Sequence, residues 1–305
     1  MPALPRRKLG RTGLDVTVLG FGAMELRGTG GGVRGGRQLA PGQADHLLNA
    51  VLDAGINFID TSIDYGDSED LIGKHISHRR NQYLLASKCG CIVDPAAAPP
   101  GVRHIYSRKN VTDGVNQSLR RLQTDHLDLV QFHNLPSRQE GEREGAIQAL
   151  LDLKRDGKVR FIGSSSVLPG LGELVGMGVF DAFQIPYSAL EREHEVVITQ
   201  AARAGAGTII RGGVARGEPG RGLAEPDRWT RWEQANLDDL LDGSPRMEFL
   251  LRFTISHPDL HTTIVGTLNP AHLAANVTAA QKGPLPPAVY NEARKRLTAV
   301  GAASA

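Results

Sequence analysis

The sequence predicts an α/β protein: a closed (β/α)8 barrel of the TIM type, with an N-terminal β-hairpin and long βα loops at its C-terminal face. Three observations carry this reading. Short apolar, β-branched runs alternate with segments of helical periodicity along most of the 305 residues, the pattern of parallel strands joined by helical crossovers. There are about eight such runs, most of them continuously apolar, as required when both faces of a parallel sheet are covered. The length allows two ordinary domains or one large barrel, and nothing marks a boundary between halves. The whole chain, residues 1–305, therefore reads as one barrel domain rather than an open doubly wound sheet.

The elements follow in order. Arg6 to Val18 reads as a short hairpin turning at Arg11-Thr12-Gly13. Val18 to Gly22 is the first barrel strand, followed by a glycine-rich loop from Arg27 to Arg37. Pro41 to Ala54 places Ala44, Leu47, Leu48, Val51 and Leu52 on one helical face and stops at Gly55. Strands at Phe58 to Asp60 and Leu84 to Lys88 come next, then an Ala/Pro loop from Asp94 to Gly101. Arg108 to Leu122 is helical, with Val111, Val115, Leu119 and Leu122 in register and Ser107 as N-cap. A strand at Leu127 to His133 leads to a helix at Ala146 to Arg155, ended by Asp156-Gly157. Strands at Val159 to Gly163 and Phe183 to Pro186 precede a helix at Glu193 to Ala204, stopped by Gly205. Thr208 to Ile210 is a strand, Arg216 to Gly243 a long polar loop, Thr262 to Val265 the last strand, and Asn269 to Lys282 the last crossover helix. Long loops after barrel strands are where such proteins keep their chemistry.

Composition removes several classes. The 36 Gly and 17 Pro make up about 17% of the chain, above the usual 12% but below the roughly 25% of low-complexity polymers. The 35 Lys and Arg balance 33 Asp and Glu, a net charge of +2 that gives no footprint for nucleic acid or an anionic membrane. The two cysteines, Cys89 and Cys91, exclude a disulfide scaffold and point to a reducing compartment. Met1 to Gly20 has no apolar core suited to a signal peptide, and no stretch approaches the roughly 20 apolar residues of a membrane span. A soluble, cytoplasmic protein is expected.

Two sets of residues could carry chemistry. Gly30-Gly31-Gly32-Val33-Arg34-Gly35 satisfies G-x-G-x-x-G, but a dinucleotide fingerprint needs the strand to turn straight into the helix whose N-terminus meets the pyrophosphate. Here loop residues separate the run from both elements, and it reads as a surface loop. The second set is Asp60, Lys88 and His133, each closing an apolar run, with Tyr65 in the loop after the first of them. Singly each reads as a solvated or structural residue; together, on three consecutive strands, they form a constellation at a barrel mouth. A phenol with a pKa near 10 exchanges protons near neutral pH only with help from a cation, which Lys88 supplies. Asp60 holds that ammonium charged, and His133 orients a substrate oxygen. Such a set suits a reaction that builds negative charge on an oxygen and protonates it.

Over almost its whole length the chain resembles the aldo-keto reductase family, from Lys8-Leu9-Gly10-Arg11-Thr12-Gly13-Leu14 and Leu19-Gly20-Phe21-Gly22 through Gly55-Ile56-Asn57-Phe58-Ile59-Asp60-Thr61 to Ile264-Val265-Gly266-Thr267. The resemblance implies an NAD(P)H-dependent barrel enzyme that reduces the carbonyl of an aldehyde or ketone. It assigns Asp60, Tyr65, Lys88 and His133 to a catalytic tetrad with Tyr65 as general acid. It also implies an extended cofactor across the barrel mouth, with Ser165, Ser166 and Gln184 on the carboxamide, Arg211 on phosphate, and Gly266, Thr267, His272 and Asn276 at the adenosine end. Ser166 stands where relatives carry an Asn, and His272 where an Arg often meets the 2′-phosphate; NADPH is the expected cofactor, with NADH as alternative. Met24, Trp229 and Trp232 are expected near the substrate, although both tryptophans also read as anchors of a surface helix. Cys89-x-Cys91 and histidines 126, 133, 257, 261 and 272 show no ligand spacing, so no metal is expected. A monomer acting on a small carbonyl compound is the expectation; the rival is a regulatory cofactor-binding protein with slow turnover, similar to the potassium-channel β-subunits of the same family.

Overall fold

The structure is a computed structural model that describes residues 3–29, 36–93, 96, 102–219 and 226–302. Two short antiparallel strands open the chain, β1 (Arg6–Lys8) and β2 (Asp15–Thr17). The first half of the barrel then runs β3 (Leu19–Gly22), α1 (Gln43–Asp53), β4 (Phe58–Asp60), α2 (Ser68–Ile76), β5 (Leu84–Cys89), α3 (Arg108–Arg121) and β6 (Leu127–His133). The second half follows as α4 (Arg138–Arg143), α5 (Ala146–Arg155), β7 (Val159–Ser165), α6 (Gly170–Gly176), β8 (Ala182–Pro186), α7 (Glu195–Arg203) and β9 (Gly207–Arg211). Next come α8 (Pro226–Gln234), α9 (Arg246–Ile255), β10 (Thr262–Val265), α10 (Pro270–Gln281) and α11 (Pro287–Ala299). Strands β3 to β10 are parallel and close on themselves, β10 pairing with both β9 and β3. The barrel and its hairpin are those the sequence predicts.

The continuous apolar runs are buried on both faces: every residue of β3, β4, β6 and β8 is buried. Helices lay their apolar stripes against the outside of the strands, as Leu47, Leu48 and Val51 do from α1 and Val111 and Val115 from α3. The Ser107 hydroxyl caps α3 by accepting from the Asn110 N–H at 3.2 Å. A second, smaller cluster fills the floor of the barrel, where Leu9 from the hairpin meets Val16, Phe58, Ala86, Leu129, Ala182 and Ile209.

That floor is closed by close backbone approach. Gly10 has φ +49°, and a Cβ there would sit 2.4 Å from the Gly207 nitrogen, so no other residue fits without displacing β9. The Arg11 N–H donates to the Gly205 carbonyl at 2.7 Å, and the Arg7 guanidinium donates to the carbonyls of Leu260 and, at 2.9 Å, Ile255.

The structure departs from the sequence reading in two places. The polar stretch 216–243 is no loop throughout: it contains α8 and a 3-10 turn, Leu237–Leu240. Helices α2, α4, α6, α9 and α11 are not among the helices the sequence reading names. The glycine run 30–35 and nearly all of the 94–101 loop lie outside the described residues. Among the described residues, no helix is long and apolar enough to cross a membrane.

Candidate active site

Asp60 ends β4, Lys88 is the penultimate residue of β5 and His133 ends β6, so the parallel register brings three ionisable side chains to one rim. Lys88 Nζ donates to Asp60 Oδ2 at 2.5 Å and to the Thr61 carbonyl at 2.8 Å, with the Lys88 side chain wholly buried. Burial alone would push the ammonium toward neutrality; the Asp60 carboxylate, with Tyr65 and Asp64 nearby, outweighs it and holds the Lys88 pKa above the ordinary lysine value.

Tyr65 sits on the short loop between β4 and α2. The loop is pinned by the Thr61 hydroxyl against Ser68 Oγ at 2.8 Å and by Ser68 donating to the Ala23 carbonyl at 2.9 Å. This places the Tyr65 ring centroid 4.9 Å from Lys88 Nζ and 6.0 Å, edge to face, from the His133 ring. The four residues of the sequence-derived set therefore meet in one place.

Five further residues of the site escaped the sequence reading. Asp60 Oδ1 accepts from Gln131 Nε2 at 3.0 Å and from Gln184 Nε2 at 2.8 Å, so the carboxylate is saturated by one ammonium and two amides. Gln131 was visible only as a polar residue inside an apolar strand, directly in register with Lys88. On the other side, His133 Nδ1 lies 3.1 Å from Cys91 Sγ and 3.3 Å from Asp64 Oδ1. The His104 ring stands 5.4 Å from that of His133, and the Tyr106 hydroxyl donates to the His133 carbonyl at 2.7 Å. Burial pushes the Cys91 thiol and the Tyr106 phenol well above their ordinary pKa values. Cys91, His104 and Tyr106 come together where Cys91 pairs with His104 and Ile105 with Gly90, pairings that no local periodicity signals.

The residues expected around a nicotinamide continue the same row. His133, Ser165 and Gln184 are register neighbours across β6, β7 and β8. Ser165 Oγ donates to Gln184 Oε1 at 3.1 Å, which links this pair to Asp60. A hydroxyl and an amide side by side at a barrel mouth are the donors and acceptors a carboxamide needs, so the residues present fit that group. Ser166 turns away: its hydroxyl donates to the Leu135 carbonyl at 3.0 Å and lies 2.7 Å from Ser164 Oγ. Arg211 closes β9, half-buried.

Gly266 and Thr267 follow β10, Thr267 Oγ1 accepting from the Asn269 N–H at 3.0 Å. His272 is exposed on the first turn of α10 and Asn276 is half-buried one turn on. Asn269 caps that helix, its Oδ1 accepting from the Ala271 N–H at 2.9 Å, so one of the backbone donors at this helix start is already taken. Met24 lies just beyond β3 in a 3-10 turn, partly buried. Trp229 and Trp232 face the packed interior: Trp232 is wholly buried, its ring 5.6 Å from Phe249 and 5.5 Å from Trp229. Their indole N–H groups donate to the Gly217 carbonyl and Asp238 Oδ1. In this structure the pair anchors α8 instead of lining an open pocket.

The comparisons with known proteins agree with this architecture. The family model described as the aldo/keto reductase family matches residues 18–220. The chain is 27% identical over 305 residues to an L-galactose dehydrogenase of Arabidopsis thaliana, covering 92% of this chain and 89% of that protein. It is 26% identical over 292 residues to the oxidoreductase YqkF of Bacillus subtilis, covering 90% of each. Among solved structures, the holo form of an aldo-keto reductase from Bacillus halodurans superposes with a TM-score of 0.82 at 29% identity, covering 99% of this chain and 98% of that one. The chain belongs to the aldo-keto reductase family.

Proposed function

We propose that this protein is an NADPH-dependent reductase of aldehydes or ketones, working as a monomer in the cytoplasm with the whole chain, residues 1–305, as one domain. The observation that carries the chemical reading is the close set of Asp60, Lys88, Tyr65 and His133. Tyr65 gives its phenolic proton to the carbonyl oxygen as negative charge builds there. Lys88, its ammonium 4.9 Å from the Tyr65 ring, stabilises the phenolate left behind. Asp60 keeps Lys88 charged and fixed in place, and His133 donates to the same substrate oxygen and aligns it. A reduced nicotinamide, when bound, supplies the hydride equivalent. Ser165 and Gln184 hold its carboxamide, with Ser166, a register step further, contributing only through a rotated side chain. Arg211 faces the phosphates, and Gly266, Thr267, His272 and Asn276 form the adenosine end.

NADPH is preferred over NADH on the strength of His272 at the adenosine end, where an imidazole N–H can donate to a 2′-phosphate. Met24 lies beside the substrate entrance. The free, buried thiols Cys89 and Cys91 support the cytoplasmic placement. The test is NADPH oxidation with a panel of aldehydes and ketones by the parent protein and by Tyr65→Phe. The variant should lose at least about a thousandfold in turnover while cofactor fluorescence still reports binding; retained turnover removes Tyr65 from the role. Tight cofactor binding with no oxidation by any carbonyl would favour a regulatory protein instead.

A further inference from the structure

A cysteine and two histidines distant in sequence converge beside the reaction site. Cys91 follows the end of β5, His133 ends β6, and His104 comes back over them on the segment leading to α3. The convergence is built by the backbone. Gly90 turns the chain at φ +87°, where a Cβ would strike the Tyr106 ring at 2.7 Å. Its carbonyl accepts from the Ile105 N–H at 2.7 Å, and Cys91 and His104 pair as an antiparallel bridge. One potential ligand atom from each of Cys91, His104 and His133 lies within 4.8 Å of the others. The thiol and His133 Nδ1 are already 3.1 Å apart.

We propose that Cys91 Sγ, His104 and His133 Nδ1 form a binding site for one soft divalent cation of the zinc class. A tetrahedral zinc with Zn–S near 2.3 Å and Zn–N near 2.0 Å needs ligand atoms about 3.4–3.6 Å apart. The Cys91–His133 pair, one two residues beyond β5 and the other the last residue of β6, starts close to that separation. The remaining adjustment falls on His104, which is half-buried on a connecting segment rather than on a strand. One thiol and two imidazoles are a donor set that favours zinc, cobalt or copper over magnesium or calcium. A water completes four ligands. Binding replaces the Cys91 S–H bond by a sulfur–metal bond and releases that proton to solvent. The imidazole of His133 then carries its proton on Nε2. The site is argued from these side chains alone and stands or falls independently of the reductase reading.

The test is titration of the full chain with cobalt(II) under anaerobic, reductant-free conditions, reading the sulfur-to-cobalt charge-transfer band and the visible bands of tetrahedral cobalt. One equivalent should saturate both, and one equivalent of zinc should displace them. Cys91→Ser should abolish the charge-transfer band, and His104→Gln should weaken binding by at least about tenfold, whereas Cys89→Ala should keep the band. Absence of the band in the folded parent protein would overturn the site. So would a band that survives Cys91→Ser or disappears with Cys89→Ala. Should Cys91→Ser fail to fold, His104→Gln decides the matter alone: affinity within twofold of the parent protein refutes the proposal.

Discussion

Replacing Asp60 by Asn should strip the buried Lys88 ammonium of its counter-charge and destabilise the fold. In the parent protein, Asp60 Oδ2 accepts from the wholly buried Lys88 ammonium and Oδ1 from the amides of Gln131 and Gln184. The substituted amide has one acceptor oxygen for these three donors, and its own NH2 group points at a donor in either orientation. If Gln184 turns over to accept from the new amide, Ser165 must switch from donor to acceptor. Removing one partner of a buried ion pair costs about 3–5 kcal/mol; the retained oxygen favours the lower figure. With an unfolding entropy of roughly 2.1 cal/mol/K per residue, a chain of this size loses about 1.6 °C per kcal/mol, so Tm should fall by about 5 °C.

The pH dependence gives a second reading of the same variant. In the parent protein the Lys88 pKa is held above its ordinary value, so folded and unfolded chains both carry the proton up to about pH 10 and Lys88 adds no slope. Without the Asp60 charge, burial dominates and the folded-state pKa falls below the unfolded one. The unfolded chain then binds more protons, and stability rises with pH. The Tm deficit should shrink between pH 7 and pH 9.5. Adding Lys88→Met to Asp60→Asn removes the unpaired charge and should recover at least half of the loss. Thermal unfolding followed by circular dichroism measures all three. A Tm within 1 °C of the parent for the single variant, or a double variant no more stable than the single one, refutes the account.

Other expectations concern the scaffold. Trp232→Ala removes a wholly buried ring packed on Trp229 and Phe249 and should cost about 3–5 kcal/mol in urea denaturation, with cofactor affinity unchanged; weakened cofactor binding at full stability would show that α8 serves the site directly. Gly10→Ala forces a Cβ against the Gly207 backbone at a left-handed φ and should destabilise by more than about 2 kcal/mol; a neutral effect on the urea midpoint would contradict the close approach. Burial lowers the pKa of His194, His257 and His261. Acidification through about pH 6.5 therefore protonates the unfolded chain first and should lower the urea midpoint between pH 7.5 and pH 5.5. Glu69, whose pKa burial raises, opposes this, so the fall should steepen in Glu69→Gln; a midpoint that rises on acidification of that variant contradicts the histidine account.

The barrel was legible in the sequence because parallel strands buried on both faces are written as unbroken apolar runs, as in Leu127 to His133. Ionisable residues at the ends of such runs stand out against them, which is why Asp60, Lys88 and His133 could be singled out. Gln131 and Cys91 resemble ordinary strand residues until the register of Gln131 with Lys88 and the pairing of Cys91 with His104 give them neighbours. The extent of α8 is hidden in the sequence because its composition is polar overall, although Trp229 and Trp232 read as anchors of a surface helix. Only Trp229 and Trp232, three residues apart, betray a face, and one apolar stripe of two residues is too short a signal for a helix.

The hairpin floor has a consequence for how the protein is made. The hairpin is synthesised well before the groups it satisfies, the Gly205, Ile255 and Leu260 carbonyls. At a translation rate of roughly 5–20 residues per second, Leu9 waits at least about ten seconds for the far strands that complete its pocket. During that interval the early strands have no closing neighbour, and β3 lacks β10 along its whole edge. Closure of the barrel, β10 onto β3, is thus a late event, and β3 keeps an open sheet edge until then.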